Sequence, residues 1–279
     1  MSATVTALLA QVELPDSSSP RLDAELLLAH VLNKPRSFLR TWPEHALKPD
    51  ELQRYSQLVT RRRAGEPVAY LLGRQGFWNL DLEVAPSTLI PRADTETLVE
   101  AALDLALPAE ATVLDLGTGT GAIALALAGE RPGWQVLGCD RVDDAVQLAT
   151  SNARRLGARN ARFVLSDWFG ALDPSARFNL VVSNPPYIAE NDEHLGQGDV
   201  RFEPASALVS GPDGLDDIRR IIGQAPAFLS ASGWLLLEHG WDQAESVASL
   251  LDSRGFQSIF SRRDIGGHQR VTGGYWHAG

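Results

Sequence analysis

Short apolar runs alternate with helical patterns from about residue 112 to residue 240. Helical patterns such as 121–129 and 143–157 separate the runs, which are rich in leucine and β-branched residues. Such runs are typical of buried strands. Strands that alternate with helices predict a mostly parallel sheet with helices on both faces, because each parallel connection crosses over the sheet. The sequence is therefore expected to fold as an α/β protein. The strand candidates are residues 112–117, 134–140, 161–167, 178–183 and 233–240.

Both ends of the chain depart from this alternation. Near the N-terminus, residues 21–33 and 50–65 have apolar residues at helical spacing, and Asp50 is expected to cap the second of these helices. Near the C-terminus, residues 256–264 and 270–279 are strand-like and have no helix between them. Two such segments predict an antiparallel pair at the edge of the sheet.

The change of pattern predicts two domains. Residues 1–75 are expected to form a helical domain, residues 76–90 a hairpin linker, and residues 91–279 the sheet domain. The linker assignment rests on residues 77–86, which alternate in polarity like a strand or one arm of a hairpin. The three arginines at 61–63 could contact a phosphate, but a solvated helix end is the favoured interpretation.

The charge and the cysteine content restrict the function. Residues 1–90 carry 10 basic and 10 acidic side chains, whereas residues 91–279 carry 15 and 25, so the net charge of −10 lies in the C-terminal part. An acidic C-terminal part argues against direct nucleic-acid binding, which usually needs a basic surface. Residues 1–20 lack a basic stretch and a long apolar core, so no secretion signal is expected, and no apolar run in the sequence approaches the roughly 20 residues of a membrane helix. With Cys139 as the single cysteine, we expect a cytoplasmic protein without membrane contact.

Polar or glycine-rich segments follow each of the first three strands. The first strand runs into a G-x-G-x-G turn, where glycines let the backbone approach a ligand. Asp140 ends the second strand and is placed to accept hydrogen bonds from ribose hydroxyls, although it could also cap the next helix, a role that Asp143 or Asp144 fills better. Asp167 and Trp168 follow the third strand and could offer an acceptor and an apolar wall to an adenine ring. The turn residues are Gly117, Thr118, Gly119, Thr120 and Gly121.

The fourth strand ends in the sequence Asn184-Pro185-Pro186-Tyr187. Each proline lacks an N–H and has a nearly fixed φ, and the residue before a proline is held extended. The segment therefore predicts a rigid ledge that carries a carboxamide, outward-facing carbonyls and an aromatic ring. Since ligands bind at the carboxyl ends of parallel strands, we expect an adenosine-bearing cofactor at the first three strands with the ledge at its reactive end.

These motifs together resemble the HemK/PrmC family over nearly the whole chain. The resemblance implies a class I, Rossmann-like, S-adenosylmethionine-dependent methyltransferase that modifies the glutamine nitrogen N5 in the Gly-Gly-Gln motif of peptide chain release factors. It also implies that Asn184, Pro185, Pro186 and Tyr187 hold the substrate amide. One departure is Ala93, where the family usually has a second proline. The motifs that carry the resemblance are LIPRADTE (89–96), VLDLGTGTGAIALALA (113–128), SDWF (166–169), SNPPYI (183–188), QGDVRFEPASALV (197–209) and LLLEHG (235–240).

Several other functions are considered. A DNA adenine or cytosine methyltransferase shares the Asn-Pro-Pro-Tyr chemistry but needs a basic, base-flipping surface. A glutamine methyltransferase acting on a ribosomal protein and a non-catalytic adaptor with a vestigial pocket also remain. Ser183 lacks the G-x-S-x-G context of a hydrolase, and the six histidines lack metal-ligand spacing, so no metal is expected. Glu203 is interpreted either as ordering the loop over the substrate or as part of a surface salt bridge.

Overall fold

The computed structural model describes residues 3–277, and these divide into two compact units. The first unit comprises the described residues up to Arg74 together with Glu193–Phe202. The second comprises Gln75–Asp192 and the described residues from Glu203 onward. The chain therefore leaves the second unit once, contributes ten residues to the first, and returns.

Helices α1 to α5 make up most of the first unit. Helix α2 buries most of its circumference, including Leu27, Leu28 and Val31, and Tyr55 and Val59 of α4 belong to the same apolar core. The predicted helix 50–65 is present, but its cap is wrong: Lys48 is the N-cap and its backbone N–H donates to the Glu51 side chain. The five helices are α1 (Val5–Gln11), α2 (Pro20–Leu32), α3 (Arg36–Thr41), α4 (Pro49–Arg63) and α5 (Val68–Leu72) among residues 3–74.

Arg62, at the end of α4, is buried rather than solvated. Its Nε donates to Asp23 at 2.8 Å, and its Nη1 donates to Asp199 at 3.0 Å and to two backbone carbonyls. The expectation of a solvated helix end at residues 61–63 is therefore wrong for Arg62. A guanidinium can satisfy several acceptors at once through its fixed fork of donors, so this side chain fastens the Glu193–Phe202 segment to the helices of its own unit.

A two-stranded hairpin precedes the large sheet, where residues 77–86 had been predicted as a strand or one arm of a hairpin; both arms lie within residues 74–83. Its turn includes Trp78 at a positive φ of 56°. Phe77 and Leu82 of the hairpin are buried in the core of the second unit. The remaining helices and strands are β1 (Arg74–Phe77), β2 (Leu80–Glu83), α6 (Glu96–Leu103), β3 (Thr112–Leu116), α7 (Ala122–Glu130), β4 (Gln135–Asp140), α8 (Asp143–Leu156), β5 (Ala161–Leu165), β6 (Phe178–Ser183), α9 (Asp216–Gln224), β7 (Leu229–Glu238), α10 (Ala244–Arg254), β8 (Gln257–Arg263) and β9 (Gln269–His277).

In the described part of the chain, seven strands form one mostly parallel sheet in the order β5-β4-β3-β6-β7-β9-β8. Strands β3 to β7 are parallel, and β9 pairs antiparallel with both β7 and β8. The predicted α/β fold with an antiparallel edge pair is confirmed, although β7 begins four residues earlier than expected, and residues 278–279 of the last predicted segment lie outside the described residues. The chain order reverses beside β3, so a crevice is expected at the carboxyl ends of β3, β4 and β6.

Side chains of the central strands alternate between two apolar cores. Val113 and Val182 face the core that contains α6 and α7, whereas Leu114 and Val181 face the core that contains α9 and α10. Because both faces are covered, the strands read as continuous apolar runs rather than as alternating ones. Burial on both faces holds the strand ends, and with them the polar side chains that follow, in fixed positions.

Candidate active site

The turn after β3 requires glycine at three positions. Gly117, Gly119 and Gly121 have φ angles of +70°, +52° and +83°, a region that other residues rarely adopt. The N–H groups of Gly117 and Thr118 both donate to the Cys139 carbonyl at 2.9 Å, which closes the turn against β4. A Cβ on Gly117 would lie 3.3 Å from the ring of Trp168, so the absence of a side chain keeps this surface open.

Asp115 lies buried beneath the turn. Its Oδ2 accepts hydrogen bonds from the Thr118 hydroxyl at 2.7 Å and from the Ala124 N–H at 3.3 Å. Its Oδ1 has no hydrogen-bond partner within residues 3–277. Burial raises the pKa of Asp115 to about 7, and the bond from Thr118 opposes that rise. The unpartnered oxygen is suited to a donor that a ligand or a water molecule supplies.

Asp140, at the end of β4, uses both carboxylate oxygens to organise the backbone. Oδ2 accepts from the Gly119 N–H and Oδ1 accepts from the Val142 N–H, both at 3.0 Å. The expectation that Asp143 or Asp144 caps α8 is wrong, because Val142 is the N-cap residue of that helix. A carboxylate has about four acceptor positions, so two remain for the hydroxyls of a ligand.

The two residues predicted to contact an adenine ring lie side by side after β5. Trp168 has a positive φ of 52°, is 7% exposed, and donates from Nε1 to Asp217 at 3.2 Å. It belongs both to an apolar core and to the wall of a cavity. Asp167 also lines that cavity, and its carboxylate is paired with the Arg220 guanidinium at 2.7 Å.

A single cavity at the carboxyl ends of β3, β4 and β6 contains most of the predicted site residues. Gly121, Pro185 and Tyr187 are the predicted residues that do not line it. Part of the opposite wall comes from the segment before α6, to which no individual role had been assigned. The predicted residues that line the cavity are Gly117, Thr118, Gly119, Thr120, Asp140, Asp167, Trp168, Asn184 and Pro186; the others include Phe77, Thr88, Pro91, Arg92, Thr95, Arg141 and Ser206.

The ledge after β6 is partly buried. Pro185 and Pro186 are buried, and Asn184 is half-buried. The Asn184 Nδ2 donates to the Thr95 hydroxyl at 3.1 Å. Because the amide nitrogen is engaged by Thr95, the side-chain oxygen of Asn184 remains the acceptor available to a ligand.

Tyr187, the last residue of the ledge, is half-buried. Its hydroxyl faces Glu238 Oε1 at 3.5 Å, and its backbone N–H donates to the Leu208 carbonyl. Burial, followed by the neighbouring Glu238, raises the pKa of the Tyr187 hydroxyl, which therefore remains protonated at neutral pH. Ile188, the next residue, forms a parallel bridge with Val209. Residues 208–209 therefore pair with the backbone at the end of the ledge.

Glu238, at the end of β7, is 1% exposed and was not predicted as a site residue. Its Oε2 has no hydrogen-bond partner in the described part of the chain. Burial raises its pKa to about 7, whereas the Thr95 hydroxyl and the Arg270 guanidinium oppose that rise. The motif LLLEHG was the available signal, but its local pattern is that of an ordinary buried strand.

Glu203 anchors the loop that follows the ledge. Its carboxylate accepts from the Ile90 N–H at 3.0 Å and from Arg92 Nη2 at 2.6 Å, and its side chain is fully buried. The surface salt-bridge interpretation of Glu203 is therefore wrong. A buried carboxylate with a charged partner and a backbone donor orders the two segments that it joins.

The cavity fits an adenosine-bearing group. Its floor is the glycine turn, and one side presents the two unused acceptor positions of Asp140. Trp168 and Val142 supply apolar surface, and the unpartnered Oδ1 of Asp115 lies beneath the floor. Within residues 3–277, no cluster of three or more His, Cys, Asp or Glu side chains is placed to hold a metal ion. Among the same residues, no helix is long and apolar enough to cross a bilayer.

Comparison with known proteins identifies both parts of the chain. Residues 4–73 match the PrmC N-terminal domain, and residues 108–254 match a methyltransferase domain. The release factor glutamine methyltransferase of Pseudomonas aeruginosa is 59% identical over 98% of this chain and 99% of its own length. The protein of the same name from Vibrio cholerae is 54% identical over 99% of this chain and 98% of its own length.

A solved structure shares the fold. The T. thermophilus 16S rRNA N2 G1207 methyltransferase, in complex with AdoMet and guanosine, has a TM-score of 0.51 and 22% identity, and the match covers 73% of this chain and 50% of that one. The resemblance to the HemK/PrmC family is thus confirmed by sequence over nearly the full length. The chain belongs to the release factor glutamine methyltransferase family.

Proposed function

We propose that this enzyme transfers a methyl group from S-adenosylmethionine to the side-chain amide nitrogen of the glutamine in the Gly-Gly-Gln motif of peptide chain release factors. The observation that carries the proposal is the position of the Asn184 carboxamide, which lines the same cavity as the glycine turn and Asp140. The names of the relatives that are 54–59% identical support the release factor as the substrate.

The cofactor would bind in the cavity along the strand ends. The turn Gly117–Gly121 would cradle it, Asp140 would accept from the ribose hydroxyls, and Asp167 and Trp168 would border the base. When bound, S-adenosylmethionine supplies a methyl group on a sulfonium, which activates that group without help from a protein side chain. The task left to the protein is to hold the acceptor nitrogen in line.

The ledge is suited to that task. An amide nitrogen is a poor nucleophile, because its lone pair is delocalised into the carbonyl. The Asn184 side-chain oxygen and the Pro185 carbonyl would accept hydrogen bonds from the two N–H groups of the substrate amide and orient its nitrogen toward the cavity. Positioning of this kind can lower a barrier by roughly 7–11 kcal/mol. As the bond between the methyl carbon and the amide nitrogen forms, the bond between that carbon and the sulfonium sulfur would break, and one N–H proton of the amide would be released to water. The same acceptors would stabilise the positive charge that develops on nitrogen, and Tyr187 would border the flat amide.

The direct test is mass spectrometry of a release factor incubated with the protein and S-adenosylmethionine. One added methyl group on the Gly-Gly-Gln glutamine is expected, and none on a release factor with alanine at that position. Duplex DNA is incubated in parallel. Methylated adenine or cytosine with unmodified release factor would overturn the proposed substrate and leave the transfer chemistry in place.

Asn184→Ala tests the ledge in the same assay. We expect it to abolish transfer and to leave the thermal shift produced by S-adenosylhomocysteine largely intact. Asn191→Ala removes an exposed asparagine seven positions further on and is the matched control, with activity expected near wild type. Undiminished transfer by the Asn184 variant would remove the role assigned to that side chain.

A further inference from the structure

The two most exposed large apolar side chains among the described residues lie at the same edge of the sheet as the cavity. Ile265 is 99% exposed and Trp241 is 65% exposed. Trp241 follows the carboxyl end of β7, and Ile265 lies in the turn between β8 and β9, which the register of β9 on β7 places beside that end. The Trp241 ring meets the exposed ring of His268, from the same turn, edge to face, with 6.3 Å between the ring centroids. Trp241, Ile265 and His268 are called the rim patch below.

The turn that carries Trp241 is attached to the ledge by hydrogen bonds. Gln243 Oε1 accepts from the Gly240 N–H at 2.9 Å, and the Gln243 N–H donates to the Gly240 carbonyl at 3.0 Å, so the turn is closed across residue 241. Gln243 Nε2 donates to the Tyr187 carbonyl at 3.1 Å. Trp241 is therefore held next to the segment that would bind the substrate amide.

The turn that carries Ile265 is braced from inside. The buried Asp264 carboxylate accepts from the His268 N–H at 2.9 Å and from Arg270 Nε at 3.2 Å. Arg270 Nη2 in turn lies 3.5 Å from the carboxylate of Asp94, in the segment before α6. These contacts fix the backbone on both sides of Ile265, so its side chain is exposed on an ordered turn and not on a loose loop.

The composition and the rigidity of the rim patch are those of an interface anchor. A single exposed apolar side chain needs no explanation, but an exposed tryptophan beside an exposed isoleucine, both next to a substrate site, does. Tryptophan is enriched among the few residues that carry most of the binding energy of protein interfaces. Because both turns are already ordered, little conformational entropy is lost when a partner covers them.

We propose that the rim patch is a docking surface for the protein substrate, which covers Trp241 and Ile265 with apolar side chains of its own while its glutamine occupies the ledge. The inference rests on the proposed function. The occupant follows from the position of the patch: a glutamine that belongs to a protein reaches the ledge only when the surrounding protein surface lies against this edge of the sheet. The rim patch contributes to recognition of the substrate and takes no part in the transfer step.

The test measures methylation of a release factor by Trp241→Ala and Ile265→Ser in the full-length protein. We expect the KM for the release factor to rise about tenfold in the tryptophan variant and about threefold in the isoleucine variant, and Trp241→Phe to keep most of the wild-type affinity. The kcat at saturating release factor and the Kd for S-adenosylhomocysteine are expected to stay within about twofold of wild type, because only binding of the protein substrate is weakened. His277→Ala removes an exposed ring at the opposite end of β9 and is the control, with a wild-type KM expected.

A fall in kcat with an unchanged KM would overturn the docking role, since Trp241 would then act by supporting the ledge through its turn. Sedimentation velocity identifies a second copy of the chain as the occupant if the wild-type protein is a dimer and the tryptophan variant is not; we expect a monomer in both. Affinity for the release factor in the presence of S-adenosylhomocysteine gives the same comparison without turnover. Equal affinity of the wild-type protein and both variants would overturn the docking surface, whereas absence of transfer by the wild-type protein would overturn the proposed function.

Discussion

Replacement of Asp140 by alanine should weaken cofactor binding by a predictable amount. Two of the roughly four acceptor positions of this carboxylate are taken by the Gly119 and Val142 N–H groups, both at 3.0 Å. The other two are free for a ribose diol. A hydrogen bond to a charged group contributes about 1.5–3 kcal/mol, so two such bonds contribute about 3–6 kcal/mol. Because water partly replaces them in the variant, we expect a loss of ~3 kcal/mol, on the order of 100-fold in Kd.

Titration calorimetry with S-adenosylhomocysteine measures this loss without requiring turnover. Asp143→Ala is the matched control: it removes an aspartate from the first turn of α8, three positions further on, and is expected to leave the affinity unchanged. A variant at Asp140 that binds as tightly as wild type would mean that the ribose is held elsewhere. A variant that no longer folds would be recognised by circular dichroism, and Asp140→Asn, which keeps one acceptor oxygen, would then be measured instead.

The remaining predictions concern stability. Gly138→Ala should destabilise the second unit by ~1–3 kcal/mol in chemical unfolding, because the new Cβ would lie 2.5 Å from a ring carbon of Phe163. Gly129→Ala, at a helical position of α7 with open space around it, should stabilise the same unit by ~0.5–1 kcal/mol. Arg62→Met should lower the free energy of unfolding of the first unit by about 3–5 kcal/mol, because it leaves the buried Asp23 carboxylate without its charged partner. Hydrogen exchange in α2 and α4 measures this loss. Arg61→Met, at an exposed arginine, should change the stability little. Burial raises the folded-state pKa of Asp115 to about 7, above its unfolded value near 4, so the folded protein favours the protonated carboxyl group. The stability that this proton contributes is fully present below pH ~4 and is lost as the pH rises through 7. Asp115→Asn, which does not titrate, should therefore reduce the fall in Tm between about pH 5 and pH 8.

Each of these expectations has an opposite result that would contradict it. Wild-type stability of the Gly138 variant would mean that the neighbouring strand moves aside at no cost. Unchanged exchange in the Arg62 variant would mean that solvent reaches its partner carboxylate. A Tm that falls as steeply in the Asp115 variant as in wild type would assign the pH dependence to another buried group.

The strand ends could be predicted from the sequence because parallel strands impose their own geometry. A run of apolar residues followed by glycines, an aspartate or the Asn-Pro-Pro-Tyr segment shows where each strand stops, and all stops lie at one edge of the sheet. The positions of the strand ends predicted that the glycine turn, Asp140, Asp167, Trp168 and Asn184 lie close together, and in the structure they line one cavity. The short helices α1, α3 and α5 were missed because 5 to 7 residues contain too few turns for a periodic pattern.

The partners of the ledge could not be predicted from local patterns. Thr95 lies 89 positions before Asn184 and accepts from its Nδ2, and Glu238 lies 51 positions after Tyr187 and faces its hydroxyl at 3.5 Å, so only the folded chain brings these partners to the ledge. The local sequence left Glu203 open between ordering a loop and joining a surface salt bridge, because its partners Ile90 and Arg92 come from 111 or more positions earlier. Buried polar contacts of this kind depend on tertiary structure, and no sequence period encodes them.

The return of the chain to the first unit has a consequence for synthesis. The N-terminal helices emerge from the ribosome first, but Asp199, one of the acceptors for Arg62, is translated 137 residues after that arginine. The helical unit therefore cannot reach its final hydrogen-bonded state until most of the sheet strands have also been made. A fragment that stops at Arg74 would contain the residues of the five helices and lack the segment Glu193–Phe202. The helical unit is thus built from two separate stretches of the chain, and exchanging it between proteins would require grafting both segments.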